Sequence, residues 1–317
     1  MDFDLDDDER ALRDGMREWA AGRLGSEAVR APAATGGFDR AMLADLAQTG
    51  VFALRRPEGD GGLGLGMTHA AVVFAELGAA LAPGPLVAMH LAAGVVDGAQ
   101  DGTIVVTDVD RGARTLTHPA ADVVVVVDEE GLWRVEATAL GSEPVERPFD
   151  PLTPVAPVAS LPRGDRIGSA DDAARWRAER RVLTAATLIG LASGAVERMV
   201  RHANEREQFG RLIGSFQAIK HLCADALART EVARAAVDAA ACHLDGRAEG
   251  DADLAIAAAA LLAAEAAVKN AKTSIQVHGG MGFTWEVDAH LHLKRATVLA
   301  ARAGGTHENA ERVAASI

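Results

Sequence analysis

From Val182 onward, apolar residues recur at Ala186, Ile189, Ala192, Val196 and Val200. Steps of three and four place them on one helical face. The same period runs through Leu212, Phe216, Ile219, Cys223, Ala226, Ala233 and Val237, and it predicts further helices over 254–277 and 287–303. Four long antiparallel helices with alanine on their inner faces form a closely packed bundle. The first hundred residues are also patterned for helices. Leu12, Met16, Trp19 and Ala20 follow the acidic turn Asp6–Glu9, whose charges suit a helix N-terminus. A second helix over 38–48 is stopped by Gly50, a third starts at Thr68, read as its cap, and a fourth spans 86–96. Between these regions the pattern changes to short β-branched runs, Thr103–Thr107, Ala121–Val127 and Leu132–Glu136, separated by turn residues. Pro148, Pro151, Pro154, Pro157 and Pro162 then mark an extended connection. The fold class is α+β and mostly α: an N-terminal helical domain (1–101), a short β-rich middle domain (102–168) and a C-terminal four-helix bundle (169–317).

Composition narrows the function. Aromatics make up 4% of the 317 residues and tyrosine is absent, while alanine is abundant, which favours helices. A net charge of −13 repels phosphate backbones and speaks against a nucleic-acid partner. The basic run Arg175–Arg181 is mixed with Glu179 and reads as a solvated helix start. Cys223 and Cys242 fall inside helical patterns without metal or CxxC spacing, so free thiols in a reducing cytoplasm are expected. The acidic start resembles no signal or transit peptide, and the alanine run 255–264, bounded by Asp253 and Glu265, suits a buried bundle helix better than a membrane span. No metal site is expected: His90, His118 and His278 lack ligand spacing, and His290 and His292, two apart on a helix, face different ways.

Three stretches could carry chemistry. The glycine-rich segment Arg56–Gly66 lacks the lysine of a phosphate loop and is read as a tight turn. The corner after the first bundle helix, Asn204-Glu-Arg-Glu-Gln-Phe-Gly210, offers Arg206, Gln208 and Phe209, with Gln217 soon after. Arginine's planar fork suits phosphate. The third bundle helix closes on Gln276-Val-His-Gly-Gly-Met-Gly282, where Gly279 and Gly280 would let a ligand approach the backbone. Alone, each is an ordinary helix end. Together, at the ends of bundle helices, they form a candidate nucleotide site.

In this order and spacing the chain resembles the acyl-CoA dehydrogenase family. The resemblance rests on Gly61-Gly-Leu-Gly64, Glu76-Leu-Gly78, Glu205-Arg206-x-x-Phe209-Gly210 with Gln217, and Gln276-x-x-Gly279-Gly280-x-Gly282-Phe283, over nearly the full length. It implies an acyl-CoA dehydrogenase-like fold, FAD as cofactor, and α,β-desaturation of an acyl-CoA thioester, with an electron-transfer flavoprotein or similar acceptor. It also implies that Arg206, Gln208, Phe209, Gln217, Gln276, Gly279 and Gly280 contact the adenine and pyrophosphate end of FAD, reaching across a subunit interface to the neighbour's flavin. Two departures stand out. The middle region has no counterpart of the family's segments that hold and cover the flavin ring. Gly304 stands where the family's catalytic glutamate belongs, and glycine cannot abstract a proton. Some members place the base on the first bundle helix, near Arg180 here. Glu179 beside it and Glu308 are the remaining candidates, and Arg181 matches a family arginine. The pattern resembles the short subunits of actinobacterial heteromeric enzymes that act on steroid side-chain CoA thioesters, implying a full-length dehydrogenase partner in an α2β2 assembly. The alternatives are a self-sufficient dehydrogenase with Glu179 as base, and a non-enzymatic scaffold without FAD.

Overall fold

The computed structural model describes residues 5–316, so the first four residues of the acidic start lie outside it. Two compact units divide the chain. The first takes the N-terminal stretch to Ser26, Ala71–Ala82 and everything from Arg181; the second takes Glu27–Ala70 and Pro83–Arg180. These units group the chain by contact, whereas the three-segment division groups it by element type.

In the first unit, helix α1 (Asp7–Arg23) opens with a capping box in which Asp6 accepts from the Glu9 amide and Glu9 accepts from the Asp6 amide. The periodic segments supply its main helices. They follow α2 (Ser26–Arg30), α3 (Arg40–Gln48), α4 (Met67–Ala79) and α5 (Leu86–Ala92) in chain order and are α6 (Ala170–Glu205), α7 (Gln217–Leu244), α8 (Ala252–His278) and α9 (Ala289–Arg302); a short helix that the periodicity does not predict, α10 (Thr306–Ala314), comes after them. The α4 segment of this unit meets α6 at backbone distance: a Cβ added to Gly190 would lie 1.9 Å from the Ala75 carbonyl oxygen, so only glycine fits. The α7–α8 seam carries one buried polar knot. Asn270 donates to the Ala226 carbonyl and to Thr230 Oγ1 and accepts from Arg229 Nε, which satisfies its amide inside the apolar seam. By length and composition α6 could cross a bilayer, yet 72% of its most apolar window is buried inside the protein, which marks a core helix.

The second unit holds a four-stranded sheet of β1 (Val106–Asp110), β3 (Val123–Val127), β4 (Leu132–Glu136) and β6 (Asp165–Gly168), in that order, with β1 parallel to β3 and the other pairs antiparallel. β2 (Thr115–Thr117) and β5 (Val155–Pro157) pair separately. All five valines of β3 are buried, which explains the unbroken apolar run. The first strand lies three residues later than the β-branched run predicts and carries Asp108 and Asp110. Thr68 is the second residue of α4 and not its cap. The glycine-rich loop is a structural turn: the amides of Gly61, Gly62 and Gly64 donate to the carbonyls of Glu58, Pro57 and Arg56. A Cβ on Gly62 would lie 2.1 Å from the Arg56 oxygen.

Candidate functional site

One end of the bundle gathers the sequence-predicted residues. Arg206 follows the last residue of α6, and Glu207–Gln208 pair with Arg211–Leu212 as β7 and β8 of a two-residue hairpin. Gln217 is the first residue of α7, Gln276 lies in the last turn of α8, and Gly279 and Gly280 open the 3-10 turn that follows. Two contacts draw these segments together. His202 of α6 stacks on His278 of α8 with ring centroids 4.3 Å apart. Beneath, Val196 and Met199 of α6, Ala226 of α7 and Val277 of α8 form an apolar cluster joined by Ile213 and Ile219. His278 Nδ1 donates to the Ser274 carbonyl, which fixes its ring. Burial, then the charges of His278 and Arg206, lower the pKa of His202.

The hairpin turn is the strained point. Phe209 and Gly210 have φ of +53° and +76°, the pair of positive values that a primed two-residue turn demands. Glycine adopts that conformation freely; a bulky side chain does so at a cost of about 1–2 kcal/mol. Phe209 is nevertheless 91% exposed, its ring touching Phe216 edge-on at 6.2 Å. Phe283 (75%) and Trp285 (55%) stand out from the loop after α8. Among the described residues, the side chains of Arg206, Gln217 and Gln276 make no hydrogen bond or ion pair with another side chain, while Gln208 donates to the carbonyl of its neighbour Glu207. A Cβ on Gly279 or Gly280 would meet nothing within 4 Å, so the backbone there is open to an incoming group. A guanidinium, free amides, an open glycine backbone and an exposed ring suit the pyrophosphate and adenine of FAD.

The other positions read from the sequence are closed. Gly304 has φ of +102°, and Asn309 fills the space beside it: a Cβ would lie 3.3 Å from Asn309 Nδ2. Asn309 is buried. Its Nδ2 donates to the carbonyls of Ala303 (3.0 Å) and Gly305 (2.8 Å), and its Oδ1 accepts from Arg181 Nη2. A glutamate at 304 would need a backbone that L side chains rarely adopt. Glu308 is exposed on α10 and pairs with Arg312 one turn on. Arg180 is buried and donates to Asp108 Oδ2 (2.7 Å) and Asp110 Oδ2 (2.5 Å) of β1, while Trp176 Nε1 also donates to Asp108. Burial disfavours the guanidinium's charge, but the two carboxylates outweigh it and hold its pKa above the usual value. Glu179, one residue away, accepts from Arg55 Nη2 at 2.7 Å.

Sequence reasoning did not single out Asn309, Asp108, Asp110 or Arg55. A signal existed for the aspartates: two carboxylates at i and i+2 in an apolar strand share one face and call for a basic partner. Asn309 and Arg55 have partners 128 and 124 residues away, and no local pattern points to them.

The chain matches the family model for the acyl-CoA dehydrogenase N-terminal domain over residues 6–102 and that for the C-terminal domain over 175–317. It is 35% identical to the acyl-CoA dehydrogenase IpdE2 of Mycobacterium tuberculosis over 306 residues, covering 92% of this chain and 91% of that protein. It is 34% identical to acyl-CoA dehydrogenase FadE34 of the same organism over 98% of its length, and there it spans about half of the relative, 48%. Among solved structures, a chain of the ChsE4–ChsE5 complex of M. tuberculosis superposes with a TM-score of 0.86 at 24% identity, covering 99% of this chain and 98% of that one. The mostly helical fold with a small sheet agrees with that likeness. The chain belongs to the acyl-CoA dehydrogenase family, oxidoreductases that act on acyl-CoA thioesters with FAD.

Proposed function

We propose that this chain is the subunit of a heteromeric acyl-CoA dehydrogenase that completes a partner's flavin site and supplies no catalytic base. The observation that carries the reading is Phe209: a strained, 91% exposed aromatic at the end of the bundle where Arg206 and Gln276 also stand without side-chain partners. Strain of that kind persists where it serves a ligand or interface. In this reading Arg206, Gln208, Phe209, Gln217, Gln276, Gly279 and Gly280 hold the adenine and pyrophosphate end of FAD, and the exposed rings of Phe283 and Trp285 extend the surface that the partner covers. FAD, when bound, supplies the acceptor for the electrons removed in forming the α,β double bond. Removal of the α-proton needs a carboxylate. Position 304 offers none, and Arg180 is a cation already bound to two aspartates.

Glu179 as a base is a weaker reading, because its carboxylate is already engaged by Arg55 Nη2 at 2.7 Å. The partner is a full-length dehydrogenase chain in an α2β2 assembly, with an electron-transfer flavoprotein or similar acceptor downstream. The solved ChsE4–ChsE5 complex and a steroid dehydrogenase variant of two named chains, Tcur3481–Tcur3483, among the structural neighbours support a two-chain enzyme and a steroid-type CoA thioester as substrate. Two cysteines without a disulfide suit the cytoplasm.

The test is a flavin absorbance spectrum of the chain alone and after co-expression with the candidate partner. A colourless lone chain and a yellow complex are expected. A yellow lone chain that substrate bleaches would refute the reading. In the complex, Arg206→Ala should weaken flavin retention about ten- to a hundredfold, the loss of one charge-assisted phosphate contact of about 1.5–3 kcal/mol. Unaltered flavin content would remove Arg206 from the site.

A further inference from the structure

The second unit holds an open cleft of about 330 Å³ that the flavin reading does not use. Its apolar wall includes Phe52, Leu91 and Trp176. Its polar wall is unexpected in a chain of net charge −13: Arg55, Arg56 and Arg175 converge there with Asp60, Asp172 and Glu179. The acids are mostly taken. Glu179 pairs with Arg55. Asp172 accepts from the Ser169 amide (2.9 Å) and hydroxyl (2.7 Å), bonds that hold its pKa below the usual carboxylate range. Asp60 lies on the exposed rim. The cations are less matched. Arg56 donates to the neutral amide of Gln100, which is itself anchored on the Gly61 carbonyl. Arg175 is exposed and makes no side-chain hydrogen bond or ion pair among the described residues; its charge acts on Asp172 from a distance, after the Ser169 bonds. His90 adds no charge: its Nδ1 donates to the Val51 carbonyl, and burial holds its pKa at about 4.

Two guanidiniums without a bonded carboxylate, beside a flat apolar wall, form a receptor for an oxyanion on an apolar body. We propose that this cleft binds a small organic oxyanion, a carboxylate or phosphate ester, through Arg56 and Arg175, in competition with Glu179 for Arg55. The proposal is independent of where the flavin binds, because no residue of the flavin reading lines the cleft.

Calorimetric titration of the two-chain complex with benzoate, phenyl phosphate and inorganic phosphate tests it. Saturable binding of benzoate or phenyl phosphate is expected, with inorganic phosphate weaker because it lacks the apolar body. The tighter of the two aromatic probes identifies a carboxylic acid or a phosphate ester as the source of the oxyanion. Arg175→Gln, at an exposed position, should weaken binding about tenfold, the loss of one charged hydrogen bond. Glu179→Gln should tighten it severalfold by releasing Arg55, a change of sign that general damage to the fold would not produce. No saturable binding, equal binding of inorganic phosphate, indifference to Arg175→Gln, or weaker binding in Glu179→Gln would each overturn the proposal.

Discussion

Two of the turns that end bundle helices in the first unit, those after α6 and α9, are built in opposite ways. The turn after α6 puts Phe209 into a left-handed conformation and leaves its ring in solvent, with Arg206 and Gln276 unbonded by side chains nearby. The turn after α9 gives its left-handed positions to Gly304 and Gly305, and Asn309 bonds two of its carbonyls and Arg181. The first turn holds strain and open donors, as expected of a surface completed by another molecule. The second has a buried amide with both ends matched, as expected of a structure completed within the chain. The resemblance to the family implies a base at the second. The difference separates a turn left open to the surroundings from one closed within the chain, and on the proposed reading the open turn is the one that serves a partner's flavin.

The sealed turn should respond most strongly. Asn309→Ala removes the acceptor for Arg181 and the donor for the carbonyls of Ala303 and Gly305, all in a buried setting. A loss of roughly 2–4 kcal/mol of stability is expected by urea unfolding. If that variant unfolds at the wild-type midpoint, the turn is not locked and the contrast collapses.

The two left-handed positions give a paired test. Gly304→Ala places a Cβ at φ of +102° and should destabilise the chain by about 1–2 kcal/mol. Phe209→Gly relieves the same kind of strain at φ of +53°, so the lone chain should gain about 1 kcal/mol or less while the complex retains flavin less well. Opposite signs in stability, with flavin loss only for Phe209→Gly, would establish that one turn serves the fold and the other serves a ligand. Equal destabilisation would mean that Phe209 packs for stability, contrary to its exposure.

Much of this contrast was legible in the sequence, and the reason is local. Helical periods and the glycine pairs at 279–280 and 304–305 are properties of neighbouring residues. The long bundle helices therefore stand close to where alanine and valine spacing places them. What was hidden is carried by distant pairs. The β-branched run predicts the first strand too early because Ile104 and Val105 look more strand-like than Thr107-Asp-Val-Asp110. Those aspartates become tolerable in a sheet because Trp176, Arg177 and Arg180, about 70 residues on, meet them. Asn309 was invisible for the same reason. Phe209 was recognised by its motif, but nothing in residue type announces that an aromatic side chain stands in water on a strained backbone.

Acid should sharpen the contrast further, with the smallest effect. His202 and His278 stack at the open end, and the pKa of His202 is lowered by burial, then by His278 and Arg206. A histidine whose folded pKa lies below its unfolded value of 6.5 contributes stability above that pH. The contribution fades as pH falls from 6.5 through the folded pKa, because the unfolded chain takes up the proton first. Wild type should therefore lose more melting temperature between pH 7.5 and 5.5 than His202→Gln, while Asn309→Ala should show the wild-type pH dependence from a lower starting point. His307, beside the sealed turn, is exposed and lies 3.2 Å from Glu311 on the surface. If His202→Gln keeps the full acid sensitivity, the weak point of the bundle lies elsewhere; Asp238 is then set aside too, since burial raises its pKa to about 6 and acid would relieve it.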